Sequence, residues 1–426
     1  MKRSLLRAGF IPLLLILALP VSGISQPRDS TLVLDELIHK VLTQNPELQA
    51  SFQGWEASKT RITQQEALPD PTLGLNLMNL PVNSFSFDQE PMSGKQISLM
   101  QSFPFPGKLS LKGDIARSDS EISLHRHREL KNHLVKKTSQ SYFDLYYIDQ
   151  AIATVKNNQE VLKEFVEIAE TRYGVGKGVQ PDVLRAQVAL SKMIDRELRL
   201  SQQRETVQAQ INTLMNEPAA APIGKAVVSE PEPERPELMA LTQQADSSSP
   251  LLSAWKTAVR QRGQQVDLAR KDRYPDFAVG VAYTQRNELQ NGMPGYDFLS
   301  AMFNVKIPLF YHKKQGKKIQ ETHINQYSAK FRYENIKNSV EQELQQALSN
   351  LEKNQRLIDL YRTGIIPQAE ESLESSMAGY QNDNVDFLSL LDSELTLFQF
   401  RLDYHRFIAD YHKEVAEIEA LTGSEF

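Results

Sequence analysis

The chain has 426 residues, no cysteine and a formal net charge of −5. A nearly balanced charge gives no attraction to nucleic acid. The missing cysteine excludes disulfides, thiolate metal sites, a cysteine nucleophile and an N-terminal lipidated cysteine.

Lys2, Arg3 and Arg7 precede an apolar run over residues 10–21, with Ser22, Gly23 and Ser25 behind it. A basic start, about a dozen apolar residues and small residues after them read as a secretory signal over residues 1–25. A short membrane anchor is the competing reading. No later stretch approaches the ~18 apolar residues of a membrane helix, so an exported chain of this kind would cross a membrane on β-strands.

The sequence then repeats itself. Asn45-Pro46 with Leu48 is echoed by Ser249-Pro250 with Leu252, and Pro69-Asp70 with Gly74 by Pro275-Asp276 with Gly280. Phe103-Pro104-Phe105 is echoed by Ile307-Pro308-Leu309, and Tyr173, Val183 and Leu184 by Tyr380, Leu390 and Leu391. Four landmarks in one order at nearly one offset make two copies of a unit. The first copy covers residues 26–217 and the second 237–426, with a Pro-, Ala- and Glu-rich linker over 218–236.

Each copy predicts a helix, a β-hairpin, a very long helix, a turn and a returning helix. The first hairpin spans residues 71–104, where Leu73, Leu75 and Leu77 alternate with Gly74, Asn76 and Met78. The second spans 276–308, where Val279, Val281 and Tyr283 alternate with Gly280, Ala282 and Thr284. Period-two alternation gives one apolar and one more polar face, and strands of about 9–10 residues suit a tilted membrane strand. Half-buried hairpins on a soluble sheet are the competing reading. Pro104, Pro106, Gly107 and Pro308 mark the strand-to-helix transitions.

The long helices are predicted over 108–171 and 314–377. The first carries a seam of Leu145, Ile148, Ile152, Val155, Gln159, Leu162, Val166, Ala169 and Tyr173, alternating three and four apart as in a coiled coil. About 60 residues at 1.5 Å rise give a rod on the order of 90 Å. Turns follow at Gly174, Gly176, Gly178 and Val179 and at Asn384 and Val385, and the partner helices cover 181–216 and 385–421. The last helix holds two seams, Leu388, Leu391, Leu395, Phe398 and Leu402 beside Phe400, Tyr404, Phe407, Tyr411, Val415 and Ile418. Such a helix packs on more than one neighbour, as in a closed wall. Pro367 interrupts the second rod where the first has Glu160, and predicts a kink. Four strands cannot close a membrane barrel and open edges are costly in lipid, so several copies must share one barrel. Closure alone allows eight, twelve or sixteen strands.

The order of these features resembles the TolC-type outer-membrane efflux proteins over essentially the whole mature chain. The matching residues are Leu34-Asp35-Glu36-Leu37 before Asn45-Pro46, the Pro-Asp entry to each first strand, Pro104-Phe105-Pro106-Gly107-Lys108, Ile366-Pro367-Gln368-Ala369-Glu370 and Tyr380 with Leu390-Leu391-Asp392. The resemblance implies a mainly α fold with a transmembrane β-barrel portion, a homotrimer with a twelve-strand barrel in the outer membrane and a twelve-helix tube in the periplasm. It implies docking to a periplasmic adaptor and an inner-membrane resistance-nodulation-division pump, with no cofactor and no catalysis. The stretch from Leu77 through Gln89-Glu90-Pro91-Met92 to Lys108 is similar to the branch serving heavy-metal pumps; an exit duct for organic toxicants is the near alternative. The resemblance places the pore constriction at the second tip, around Asp383, Asp386, Ser389 and Asp392, and adaptor docking at the tip turns. The family often has two carboxylates three apart there; only Asp392 of the matching pair is acidic.

Other constellations are weaker. His125, Glu129 and His133 share one helix face and read as a solvated face before a metal site. His405 and His412 read as interface histidines. Met78, Met92, Met100, Met293 and Met302 gather around the hairpins, where thioether is apolar filler as often as a ligand for soft ions. No G-x-S-x-G, P-loop, H-E-x-x-H or dinucleotide fingerprint occurs. An exported coiled-coil scaffold would account for the rods but not for the paired strands.

Overall fold

A computed structural model describes residues 31–231 and 236–423; the expected signal segment, residues 1–25, lies outside the described residues. Strand β1 (Thr31–Leu32) leads into α1 (Leu34–Gln44). Asn45 ends that helix and caps the next, α2 (Pro46–Glu66), its side chain accepting from the N–H groups of Glu47 and Leu48. Pro46 stands in the first turn, where its missing donor costs nothing. Each copy thus opens on two helices where the sequence predicts one, because a proline-led cap breaks the run. The hairpin of β2 (Thr72–Met78) and β3 (Gly94–Phe103) follows, then α3 (Lys108–Gly174) and α4 (Gln180–Leu214). After β4 (Lys225–Ala226) come α5 (Leu238–Ser248), α6 (Pro250–Lys271), β5 (Asp276–Gln285), β6 (Phe298–Lys306), α7 (Gln315–Leu360), α8 (Ile366–Gln381) and α9 (Phe387–Thr422).

Helix α3 is an unbroken rod of 67 residues, about 100 Å long. It packs along α2, α4, α6 and α9. Its seam is buried or half-buried from Leu145 to Ala169, and Tyr173 stands exposed at the end of the rod. Two core clusters result. One, around Leu37, Tyr142, Leu145, Ile211, Leu344 and Ile408, binds the helices at mid-length. The other, around Val155, Leu162, Phe165, Ala186, Phe387 and Leu402, holds the tipward half. Leu388 is exposed, so the first seam of α9 begins at Leu391.

The second rod is not one α-helix. Between α7 and α8 lies a π-helical turn, Tyr361–Ile365, in which the Ile366 N–H reaches back to the Tyr361 carbonyl. The sequence predicts a kink at Pro367 itself. The π-helical turn ends just ahead of that residue, and Pro367 falls in the first turn of α8, where a missing backbone donor is tolerated.

The linker is structured where it is described. β4 pairs in parallel with β1, and the Tyr142 hydroxyl lies 2.9 and 2.8 Å from the carbonyl oxygens of Leu32 and Val227. Further on, Glu230 accepts from Tyr404 at 2.7 Å and from Arg362, beside the π turn, at 2.6 Å. The segment straps the middle of the helices.

Candidate functional site

The four longer strands form one antiparallel sheet in the order β2-β3-β5-β6. Register brings Leu75, Ile97, Tyr283 and Leu299 into one row and Leu73, Leu99, Val281 and Ala301 into another. Leu75 is 76% exposed and Leu299 81%, so this apolar face has no cover within the chain. The opposite face carries Gly74, Ser98, Ala282 and Ser300 and a polar row in which Asn76 donates to Gln96 at 3.1 Å and Gln96 to Thr284 at 3.2 Å. The free edges of β2 and β6 have no partner strand among the described residues. Water would not favour such a face. No described helix is long and apolar enough to cross a membrane.

Strand gives way to helix at a charged hinge. Lys108 is buried; its ammonium donates to Asp276 at 2.8 Å and to the Tyr274 carbonyl at 3.2 Å. The Phe105 N–H donates to the same carboxylate at 2.8 Å. Gly107 caps α3 at φ +84°, where a side chain would also meet the Lys271 ammonium at 2.8 Å. Pro104 and Pro106 end β3 without asking for ladder donors, and Pro308 does the same after β6.

At the far end, two turns reverse the rods. In the first, Gly176 takes φ +73°, and the N–H groups of Lys177 and Gly178 both donate to the Arg172 carbonyl, at 2.9 and 3.0 Å. Val179 then enters α4 in an extended conformation. In the second, Asp383 is left-handed, and the N–H groups of Asn384 and Val385 donate to Gly379. The candidate constriction residues do different things. Asp386 caps α9, accepting from the Ser389 N–H at 2.7 Å. Asp383 pairs with Arg172. Asp392 is exposed one turn further along and has no ion pair among the described residues.

Arg172 is the residue that sequence reasoning misses. It sits at the end of α3, donates to the Tyr380 carbonyl at 3.0 Å, and lies 4.7 Å over the Tyr380 ring. It therefore ties the two tip turns together. Nothing in the sequence distinguishes it from other arginines on long helices. Lys108, by contrast, is visible as the end of the Pro104–Lys108 motif.

Other polar residues are half-buried, two of them against expectation. His125 Nδ1 and Glu129 Oε2 are enclosed without partners, so the face that the sequence predicts to be solvated is partly covered, by α6 packing on α3. Burial lowers the His125 pKa and raises that of Glu129. His405 lies 3.2 Å from the Tyr146 hydroxyl and His412 stacks on Phe143 at 4.8 Å; desolvation lowers both pKa values. Among the described residues no group of three or more His, Cys, Asp or Glu is placed to hold a metal.

Glu394 is buried between α9 and α3, and Asn158 donates to it while its own Oδ1 has no partner. Burial raises the Glu394 pKa above its ordinary 4.5. At neutral pH its charge is therefore carried at a cost, and the folded state takes up the proton first as pH falls. Glu394→Gln can make a reciprocal amide pair with Asn158. It should stabilise the folded protein at neutral pH by on the order of 1 kcal/mol, with an advantage that shrinks toward acid. Melting in detergent at two pH values measures it; an advantage that grows in acid contradicts the assignment.

Residues 37–217 and 241–424 match the family model described as outer membrane efflux protein. Over 398 residues, 89% of this chain and 87% of the other, the sequence is 22% identical to the cobalt-zinc-cadmium resistance protein CzcC of Cupriavidus metallidurans. The fold is similar to that of the outer membrane protein VceC of Vibrio cholerae, with a TM-score of 0.78 at 16% identity over 92% of this chain and 96% of that one. It is also similar to the open state of the MtrE outer membrane channel of Neisseria gonorrhoeae, with a TM-score of 0.75 at 15% identity over 92% and 88%.

Proposed function

The chain belongs to the outer membrane efflux protein family, and we propose that it is the exit duct of a tripartite efflux system that passes heavy-metal cations outward without catalysis. The observation that carries this reading is the uncovered apolar sheet face, with two open edges, at one end of rods about 100 Å long. Three copies would close a twelve-strand barrel in outer-membrane lipid and a twelve-helix tube below it. The two stretches matched by the family model, 37–217 and 241–424, support the division into two copies. The tip turns around Gly176 and Asn384 are the docking surface for a periplasmic adaptor, which joins the duct to a resistance-nodulation-division pump in the inner membrane. Residues 1–25, with their basic start and apolar run, serve as its export signal.

The metal reading is supported by the likeness to CzcC over most of both chains. A duct needs no tight metal site, because conduction requires release. Deleting the gene should sensitise cells to divalent transition metals such as cobalt, zinc and cadmium. Sensitisation confined to organic toxicants would assign the duct to the other cargo class. A monodisperse monomer in detergent with native β content would end the channel reading itself.

A further inference from the structure

The in-chain junction of β3 with β5 is a template for the junction between copies. Asp276 and Gly280 each stand 206 residues after Asp70 and Gly74, and Ile307 stands 204 after Phe103. Shifted by these offsets, the first-hairpin pairs Thr72↔Met100 and Leu75↔Ile97 become Ala278↔Asn304 and Val281↔Ala301. Both are pairs of the second hairpin. The repeat therefore conserves strand register, not only the order of elements.

We propose that β6 of one copy joins β2 of the next in the register that the same shift dictates. From β3–β5, Met100↔Gly280 becomes Asn304↔Gly74, Leu99↔Val281 becomes Phe303↔Leu75, and Ser98↔Ala282 becomes Met302↔Asn76. This rests on the multimeric reading above and names its seam. Three observations support the register. Phe303 meets Leu75 on the apolar face, while Asn304 and Met302 meet Gly74 and Asn76 on the other, so no side chain changes sides. All of β2 is paired, from Thr72↔Lys306 to Met78↔Ser300. The third observation is Asp70. Its counterpart Asp276 accepts from the Phe105 N–H, whereas Asp70 is exposed with no hydrogen bond or ion pair among the described residues.

The counterpart of Phe105 is Leu309, so Asp70 of the neighbouring copy is placed to accept from the Leu309 N–H. In the single chain that N–H bonds the Ile307 carbonyl instead. The cleft beside Leu309 is lined by Lys306 and Lys314, and its own Asp272 and Asp276 are already met by Lys108. An incoming carboxylate there meets positive charge.

The absence of cysteine makes the test clean. Directly opposed residues have Cβ atoms ~4.5–5.5 Å apart and diagonal ones ~7–8 Å, and only the former suit a disulfide. Under mild oxidation in membranes, Asn76→Cys with Met302→Cys should yield covalent dimers and trimers. Asn76→Cys with Asn304→Cys, or with Ser300→Cys, should yield less than about a tenth of that product. If a shifted pair couples better, the register is wrong although the seam stands. If no pair couples while detergent chromatography still shows an oligomer, β6 and β2 do not meet and the proposal falls. If the unmodified protein is a monomer, it is the multimeric reading that fails.

Discussion

Leu75→Arg is expected to abolish accumulation of assembled protein in the outer membrane, while Asn76→Arg, one residue along the same strand, is tolerated. Both residues are exposed in the single chain, so a soluble sheet would accept either change. On the proposed function, the two faces differ in what covers them after assembly. Leu75 lies in the row with Ile97, Tyr283 and Leu299, which would contact hydrocarbon. An arginine near the midplane of that face costs about 2–4 kcal/mol, and every copy carries it. Asn76 faces the other way, in a row that already holds Gln96 and Thr284. The measurement is the amount of oligomer in outer-membrane fractions after a high-salt wash. Equal loss from both substitutions would mean that the two faces are not lipid and lumen. Equal tolerance would mean that the sheet does not span.

On the proposed function, Arg172→Ala is expected to open the mouth at the tip turns. One guanidinium bridges the end of α3 to the α8–α9 turn through the Tyr380 carbonyl, the Asp383 carboxylate and the Tyr380 ring. Hydrogen bonds to a charged group are worth about 1.5–3 kcal/mol each. Losing ~2 kcal/mol from a closed state raises the open fraction roughly thirty-fold. Single-channel conductance in planar bilayers and uptake of a large antibiotic by cells should both rise. Arg172→Lys keeps the charge but loses the forked geometry, and should fall between. Wild-type values for Arg172→Ala, in protein that still assembles, would reduce this contact to local packing. Asp392→Ala belongs in the same recordings. Its exposed carboxylate, repeated in each copy, should set cation preference if it lines the constriction, and unchanged selectivity would place it elsewhere.

Proline 367 shows how far local reasoning reaches. Its ring cannot sit inside a regular α-helix without cost, and that much is legible from the residue alone. How the chain meets the cost is not. The wide turn at Tyr361–Ile365 is favoured by what surrounds it, since Tyr361 packs edge-on against Phe400 and Phe407 and Arg362 is held by Glu230 from the linker. Helix length and strand alternation, by comparison, follow from the spacing of apolar residues along one segment. The seam from Leu145 to Ala169 and the rows through Leu75 and Val281 need no knowledge of distant residues.

The sequence by itself determined the periodic parts of this protein: the rods, the two hairpins and the turns between them. These depend on patterns within a few residues. Only the tertiary structure decided which partners the polar residues take. Lys108 finds Asp276, Arg172 finds Asp383 and Asn158 finds Glu394 across separations of 168, 211 and 236 residues. A charged side chain on a long helix looks the same in sequence whether it faces water or a partner. The difference arises when the second rod is laid beside the first, because burial then makes an unpaired charge costly and a paired one selective.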